Sequence, residues 1–191
     1  MDRREDRILD EFLAASARMG DRAALGELAK RWQHRLFRHA WRLSGDVDLA
    51  RDIAQDAWLD IAKSVRRLDD SAAFPFFAFR IVTRRAADAI RRNRRLRAGM
   101  AAFAAEPRPQ FVTSEAIETQ ASGPRLAAAL AALPADQRAA IGLFYQEDLS
   151  VAEISAALGV PAGTVKTRLM AARDKLRKAL GVNLETDDEQ T

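Results

Sequence analysis

Cysteine is absent from all 191 residues. That rules out disulfides, thiolate metal sites and a cysteine nucleophile, and it fits a reducing compartment. Imidazole comes only from His34 and His39, set among arginines and aromatics, so no metal site is expected. No apolar run approaches the ~20 residues of a membrane span. The opening stretch Met1-Asp2-Arg3-Arg4-Glu5-Asp6 is charged and lacks an apolar core, so no secretion signal is expected. There is no alternating strand pattern, no internal repeat, no G-x-G-x-x-G and no G-x-S-x-G. No catalytic residue and no cofactor are therefore expected. The expectation is a cytoplasmic, all-α protein without direct membrane binding.

Charge is present in quantity but unevenly placed. The net charge is only +4, with a sequence pI near 9.9. Residues 1–105 hold 22 Lys+Arg against 15 Asp+Glu, and residues 125–181 hold 8 against 5. Residues 106–124 hold 1 against 3, and residues 182–191 hold 0 against 4. Two basic bodies with an acidic connector and tail suit a polyanionic partner.

The periodic segments have the helical period. Ile8, Leu9, Phe12 and Leu13 mark a helix over residues 5–19, broken at Gly20-Asp21. Asp21 can cap a helix carrying Leu25, Leu28, Trp32, Leu36, Phe37 and Trp41, and Asp46 or Asp48 the next, with Ile53, Ala57, Trp58, Ile61 and Val65. After a loop from Arg66 to Ala73, Pro75 suits a first helical turn, and Phe77, Ile81, Ala86 and Ile90 continue a helix to about Arg97. Phe77 is expected in the core, with Phe74 as a second candidate for it. Residues 98–123 read as a flexible linker of roughly 25 residues, with a short helix near Ser114 to Thr119. Helices follow over Arg125 to Leu133 and Ala135 to Tyr145. The expected organisation is a helical domain over 1–97, the linker, a second helical domain over 124–181 and an acidic, frayed tail over 182–191.

Three constellations carry chemistry. The strongest is a helix-turn-helix from Leu149 to Leu180. Val151, Ile154 and Leu158 share one stripe, Gly159 ends that helix, Val160 fills the turn, and Val165 and Leu169 form the buried stripe of the second helix. Thr164, Lys166, Thr167, Arg168, Met170 and Arg173 remain to face a DNA major groove, behind a slim start at Ala162-Gly163. The second is an acidic, amide-bearing ridge, Asp52, Gln55 and Asp56, with Trp58 and Leu59 beside it. On a basic domain such a ridge suits a basic protein partner. The third is Phe74-Pro75-Phe76-Phe77-Ala78-Phe79-Arg80, followed by Arg84, Arg85, Asp88, Arg91, Arg92 and further arginines to Arg97. Aromatic rings interleaved with cations can stack and hold unpaired bases.

In this order and spacing the stretches resemble the extracytoplasmic-function sigma factors of bacterial RNA polymerase. The resemblance covers about residues 20–97, as that family's region 2, and 125–181, as its region 4. Gly45-Asp46, Ala50, Asp52, Gln55, Asp56 and Trp58-Leu59 resemble the helix that docks on the polymerase clamp. Phe74, Phe77, Arg80-Ile81, Asp88, Arg91 and Arg92 resemble the helix that melts and reads the minus-ten element. Leu133-Pro134, Gln137-Arg138, Phe144-Tyr145, Leu149-Ser150, Leu158-Gly159-Val160-Pro161 and Gly163 through Leu169 resemble region 4. There are departures: the family often has Asn at the place of Arg84, Trp at that of Phe76 and Arg at that of Ala171.

The resemblance implies a division of labour. Asp52, Gln55, Asp56, Trp58 and Leu59 would bind the clamp. Phe74, Phe76, Arg80, Arg84, Arg85, Asp88, Arg91 and Arg92 would hold minus-ten DNA, with the Leu68 to Ala73 loop capturing an unstacked base. The second domain would sit near the polymerase flap and place Thr164 to Arg173 in the minus-thirty-five groove. Core RNA polymerase, promoter DNA and an anti-sigma factor, free or membrane-anchored, are the implied partners. The alternatives are a helix-turn-helix regulator that works without polymerase and a helical adaptor that binds only protein. On the sigma-factor reading the two domains are separate bodies whose relative placement changes between free, inhibited and polymerase-bound states.

Overall fold

A computed structural model describes the backbone of residues 3–100 and 123–181, with side chains from Glu5 to Leu96 and from Gly123 to Gly181. Among these residues there are eight α-helices: α1 (Arg3–Arg18), α2 (Arg22–Ser44), α3 (Val47–Ser64), α4 (Phe74–Met100), α5 (Pro124–Ala131), α6 (Ala135–Tyr145), α7 (Val151–Leu158) and α8 (Ala162–Leu180). The expected helix near Ser114 to Thr119, the acidic tail and the Arg97 side chain lie outside the described residues.

Local chemistry sets the helix starts. The Asp21 carboxylate accepts from the backbone N–H groups of Ala23 (2.8 Å) and Ala24 (3.1 Å). Asp46, rather than Asp48, caps α3 by accepting from Leu49 N at 2.9 Å. Ser150 and Glu153 form a reciprocal capping box at the start of α7. Each such cap satisfies backbone donors that the first helical turn leaves open and is worth about 1 kcal/mol. Between α7 and α8 the chain turns through Gly159 at φ +67, a left-handed conformation that a side chain would strain. This tight turn brings α8 back across α7.

The N-terminal core gathers Leu28, Trp32 and Leu36 of α2, Ile53 and Ile61 of α3, and Phe74, Phe79 and Val82 of α4. Trp32 meets Phe74 edge-on at 5.1 Å and Phe79 at 5.5 Å. Here the sequence expectation is corrected. Phe74 and Phe79 are fully buried, whereas Phe77 is half-buried at the core's edge. The buried stripe of α4 runs through Phe74, Ala78, Val82 and Ala86; it shares Ala86 with the expected stripe and leaves Phe77, Ile81 and Ile90 half-buried, because α4 is covered by α2 and α3 on one side and by α7 on another. A helix covered on several sides buries more than one stripe.

The larger departure is the relation between the two halves. They do not stand apart. α6 lies against α2 and α7 against α4, and one continuous buried cluster runs through both halves. Five consecutive residues of α6, Ala139 to Leu143, are buried, because α8 covers one side of it and α2 another. Gly142 permits the closest approach: a Cβ there would lie 2.5 Å from Arg42 Nε. Despite the docking, the acidic ridge and the start of α8 remain at the surface.

Candidate nucleic-acid and protein interfaces

On α3 the spacing of three and four does what it must: Asp52, Gln55 and Asp56 emerge on one exposed face. Leu59 extends that face and is 55% exposed. Trp58 is half-buried and packs against the core, so it supports the ridge from the side. Asp52 and Asp56 also line a small cleft of about 130 Å³ with Arg85 and Arg92 of α4. Such a surface can accept hydrogen bonds and cationic side chains while Leu59 supplies an apolar anchor.

Beside it, the end of α3 and the middle of α4 enclose a second cleft of about 440 Å³, lined by Asp60, Lys63, Ser64, Arg67, Ile81, Arg84, Arg85 and Asp88. Arg84 is exposed at this cleft. Arg85 is held by Asp60 through two hydrogen bonds of 2.6 Å, and that pairing raises the guanidinium pKa. Asp88 pairs with Arg91 one helical turn on. Lys63 and Arg67 belong to this basic wall and escaped the sequence reading. The signal for them was the charge of Lys63-Ser64-Val65-Arg66-Arg67 just before the loop.

The loop itself is braced. Asp70 accepts from Ala72 N at 3.0 Å and starts a short 3-10 turn. Arg18 of α1 donates to Ser71 Oγ at 3.1 Å. The first helix, which the sequence left without a role, thus fixes the loop that leads into α4.

The structure separates the expected minus-ten residues into groups. Phe74 is buried against Trp32 and has no face for a base, which corrects its assignment as a DNA contact. Phe76 is half-buried, and Arg84 and Arg92 are exposed. Arg80 is exposed but donates to the Ala156 carbonyl of α7 at 2.9 Å. Arg85, Asp88 and Arg91 are engaged in the ion pairs just described.

On α8 the buried stripe is Val165, Leu169 and Ala172. Lys166 and Thr167 are exposed, Thr164 half-exposed, and Met170 is 60% exposed. The Thr167 hydroxyl donates back to the Gly163 carbonyl at 3.0 Å. Arg168 does not point freely outward: it pairs with Asp136 of α6 at 3.2 Å. Arg173 donates to Tyr145 Oη at 3.0 Å and lies over the Phe144 and Tyr145 rings at 5.3 and 5.7 Å. The exposed reading edge is therefore narrower than the sequence count of cations suggests.

A further polar contact crosses between the halves, and one buried polar group lies within the N-terminal half. Arg138 of α6 donates to the Arg42 carbonyl of α2 at 3.0 Å, and its burial lowers its pKa. His39 is fully buried, with Nε2 3.0 Å from Thr83 Oγ1. Burial, with the nearby charge of Arg42, pushes its pKa down to about 3, so the ring is neutral.

Comparison with known proteins gives these surfaces a context. Residues 28–96 match the family model for Sigma-70 region 2, and residues 124–176 match that for Sigma-70, region 4. The chain is 35% identical over 181 residues to the ECF RNA polymerase sigma factor SigM of Mycobacterium tuberculosis, covering 93% of this chain and 87% of that protein. It is 28% identical over 170 residues to SigW of Bacillus subtilis, covering 84% and 91%. With SigE of Mycolicibacterium smegmatis it shares 35% over 172 residues, 84% of this chain but 64% of that longer protein. In fold it is similar to Bartonella quintana RpoE, solved in complex with the anti-sigma factor NepR, with a TM-score of 0.68 at 24% identity over 83% of this chain and 98% of that one. CnrH, solved with the cytosolic domain of CnrY, gives 0.63 at 25% identity over 92% and 99%. Both region models in their order, together with the relatives that align over most of its length, show that this chain belongs to the ECF sigma factors of bacterial RNA polymerase.

Proposed function

We propose that the chain acts as an alternative sigma factor that brings core RNA polymerase to promoters with two recognised elements and opens the minus-ten element. Asp52, Gln55, Asp56 and Leu59, steadied by Trp58, bind the polymerase clamp. Thr164, Lys166, Thr167 and Met170 enter the minus-thirty-five major groove, with Arg168 and Arg173 holding the α8 frame and reaching phosphates when their internal partners release them. Phe76, Arg80, Arg84 and Arg92, with Lys63 and Arg67 across the cleft, take an unstacked base of the minus-ten strand. Flipping that base costs a few kcal/mol, which stacking and charge offset. We assign residues 1–97 to the clamp and the minus-ten element and residues 124–181 to the minus-thirty-five element. The chain contributes binding and strand opening and no catalysis, and it acts in the cytoplasm. By analogy with the two structural relatives solved with anti-sigma factors or their domains, an anti-sigma factor controls it.

The observation that carries this reading is the pairing, in one chain of this family, of an exposed carboxylate ridge with an exposed recognition-helix edge. A helix-turn-helix regulator acting alone has no use for the ridge, and a protein-only adaptor has no use for Lys166 and Thr167. Run-off transcription with core polymerase is the test. The parent chain should give promoter-dependent transcripts, and Asp52→Arg with Asp56→Arg should abolish core binding while leaving duplex DNA binding intact. If core enzyme neither binds the parent chain nor gains initiation from it, the proposal fails.

A further inference from the structure

α1 is fixed by its inner face. Asp10, Ala14 and Ala17 are buried, and Leu13 packs against the core. Asp6 and Asp10 take Arg31 at 2.9 and 2.8 Å, and Asp10 also approaches Arg35 at 3.4 Å. These two arginines begin a stripe on α2, Arg31, Arg35, Arg38 and Arg42, which also receives the buried Glu147 carboxylate, 2.6 Å from Arg35. Arg18 and Arg7 brace the same helix through Ser71 and Glu153, both at 3.1 Å. A helix held at this many points presents its outer face in one orientation.

That outer face is apolar. Ile8, Phe12, Ala15 and Met19 recur at spacings of four, three and four, the pattern of a coiled-coil seam, and all four are exposed. Ile8 is 61%, Phe12 65% and Met19 90% exposed, and Leu9 widens the strip at 40%. At about 100° per residue the strip lies opposite Asp10, Ala14 and Ala17. It exposes an apolar area on the order of 500 Å². Single apolar side chains at a surface need no explanation, whereas a continuous seam marks a contact. No residue assigned above to polymerase or DNA lies on α1.

The strip is complementary to itself when a second copy runs antiparallel. Phe12 then falls opposite Ala15 and Ile8 opposite Met19, so that each ring meets a small side chain, twice by symmetry. Charge agrees with that direction. The first turn of α1 carries Glu5 and Asp6 and the last turn Arg18, so antiparallel copies set acid beside base and oppose their helix dipoles. Glu11, exposed at the edge of the strip, comes beside Arg18 of the other copy. A parallel pair would stack Phe12 on Phe12 and bring like charges together. Glu5 and Glu11 along the edges also disfavour an anionic lipid surface as the occupant. Two copies bury about 1,000 Å², the lower end for a specific interface, so the pair is weak and reversible.

We propose that α1 is a self-docking helix through which two copies of this chain pair antiparallel, with Phe12 of each seated on Ala15 of the other and Glu11 of each beside Arg18 of the other. Sedimentation velocity on the full chain, without polymerase or DNA, is the test. The parent should pass from monomer to dimer between about 1 and about 200 µM, the range of a small interface. Phe12→Lys, at an exposed position, should raise the dissociation constant roughly tenfold or more, with circular dichroism unchanged. Glu11→Arg and Arg18→Glu should each weaken the dimer alone, because like charges then face each other, and equimolar mixing of the two variants should restore it. A chain that stays monomeric throughout that range leaves the strip to a different occupant and overturns the proposal. So does a dimer that Phe12→Lys leaves intact, or a pair of charge variants that does not recover on mixing.

Discussion

α4 and α8 are both arginine-rich or lysine-rich helices assigned to DNA, and they spend their charge differently. On α8, Lys166 is exposed, while Arg168 is tied to Asp136 and Arg173 to Tyr145. On α4, Arg84 and Arg92 are exposed, while Arg85, Arg91 and Arg80 are held by Asp60, Asp88 and the Ala156 carbonyl. A cation near a carboxylate of its own chain first serves the fold. The comparison teaches that a basic helix announces an anionic partner, but that the partner's contacts are the few cations the fold leaves over.

The sharpest contrast within α4 is between Phe74 and Phe76. Phe74→Ala should cost about 3–5 kcal/mol of stability by opening a cavity against Trp32, read as a lower denaturant midpoint. Acid acts next on the N-terminal half. Both histidines lie in the N-terminal half, and His39 stays neutral when folded. The unfolded chain takes up a proton below its ordinary pKa of 6.5 while the folded chain does not until about 3. The contribution of His39 to stability is therefore complete above pH 6.5 and falls across that window, by up to about 1.4 kcal/mol per pH unit. His39→Gln should flatten that slope in pH-dependent denaturation; an unchanged slope would refute the assignment.

Phe76→Ala should weaken capture of minus-ten single strand by about 1–3 kcal/mol. Its effect on stability should be well below that of Phe74→Ala. Fluorescence anisotropy with a strand fragment checks it, and equal losses for a duplex probe would count against the division of labour. The smallest effects fall on α8. Lys166→Ala should weaken duplex binding across sequences and lower the salt slope by about one counterion. Arg168→Ala, which breaks a partly exposed pair, should change stability by less than about 1 kcal/mol. A larger loss of duplex affinity for Arg168 than for Lys166 would reverse the ranking drawn from the structure.

Much of this was legible in the residues. Asp21 and Gly159 mark helix ends, and Asp46 or Asp48 a third, because capping depends on neighbours in sequence, and the Asp52–Asp56 ridge follows from helical spacing alone. Phe74, the second core candidate, is the one fully buried and Phe77 packs at the core's edge, because a run of four phenylalanines over six positions fits several stripes and only the packing partners choose among them. The seam between the halves left two traces that pattern reading passed over: the arginine stripe of α2 and the unbroken apolar run Ala139-Ala140-Ile141-Gly142-Leu143. Each is ambiguous alone, since an arginine stripe can face water and a short apolar run can face one core.

The sequence by itself determined the helices found among the described residues, the tight turn of the helix-turn-helix and the family, because caps, periodicity and motif spacing are local properties of the chain. Tertiary structure alone decided which cations remain for DNA, where Glu147 is buried and that α7 lies over α4. Those outcomes depend mostly on groups 25 to 112 residues apart in the chain, whose meeting no local pattern encodes.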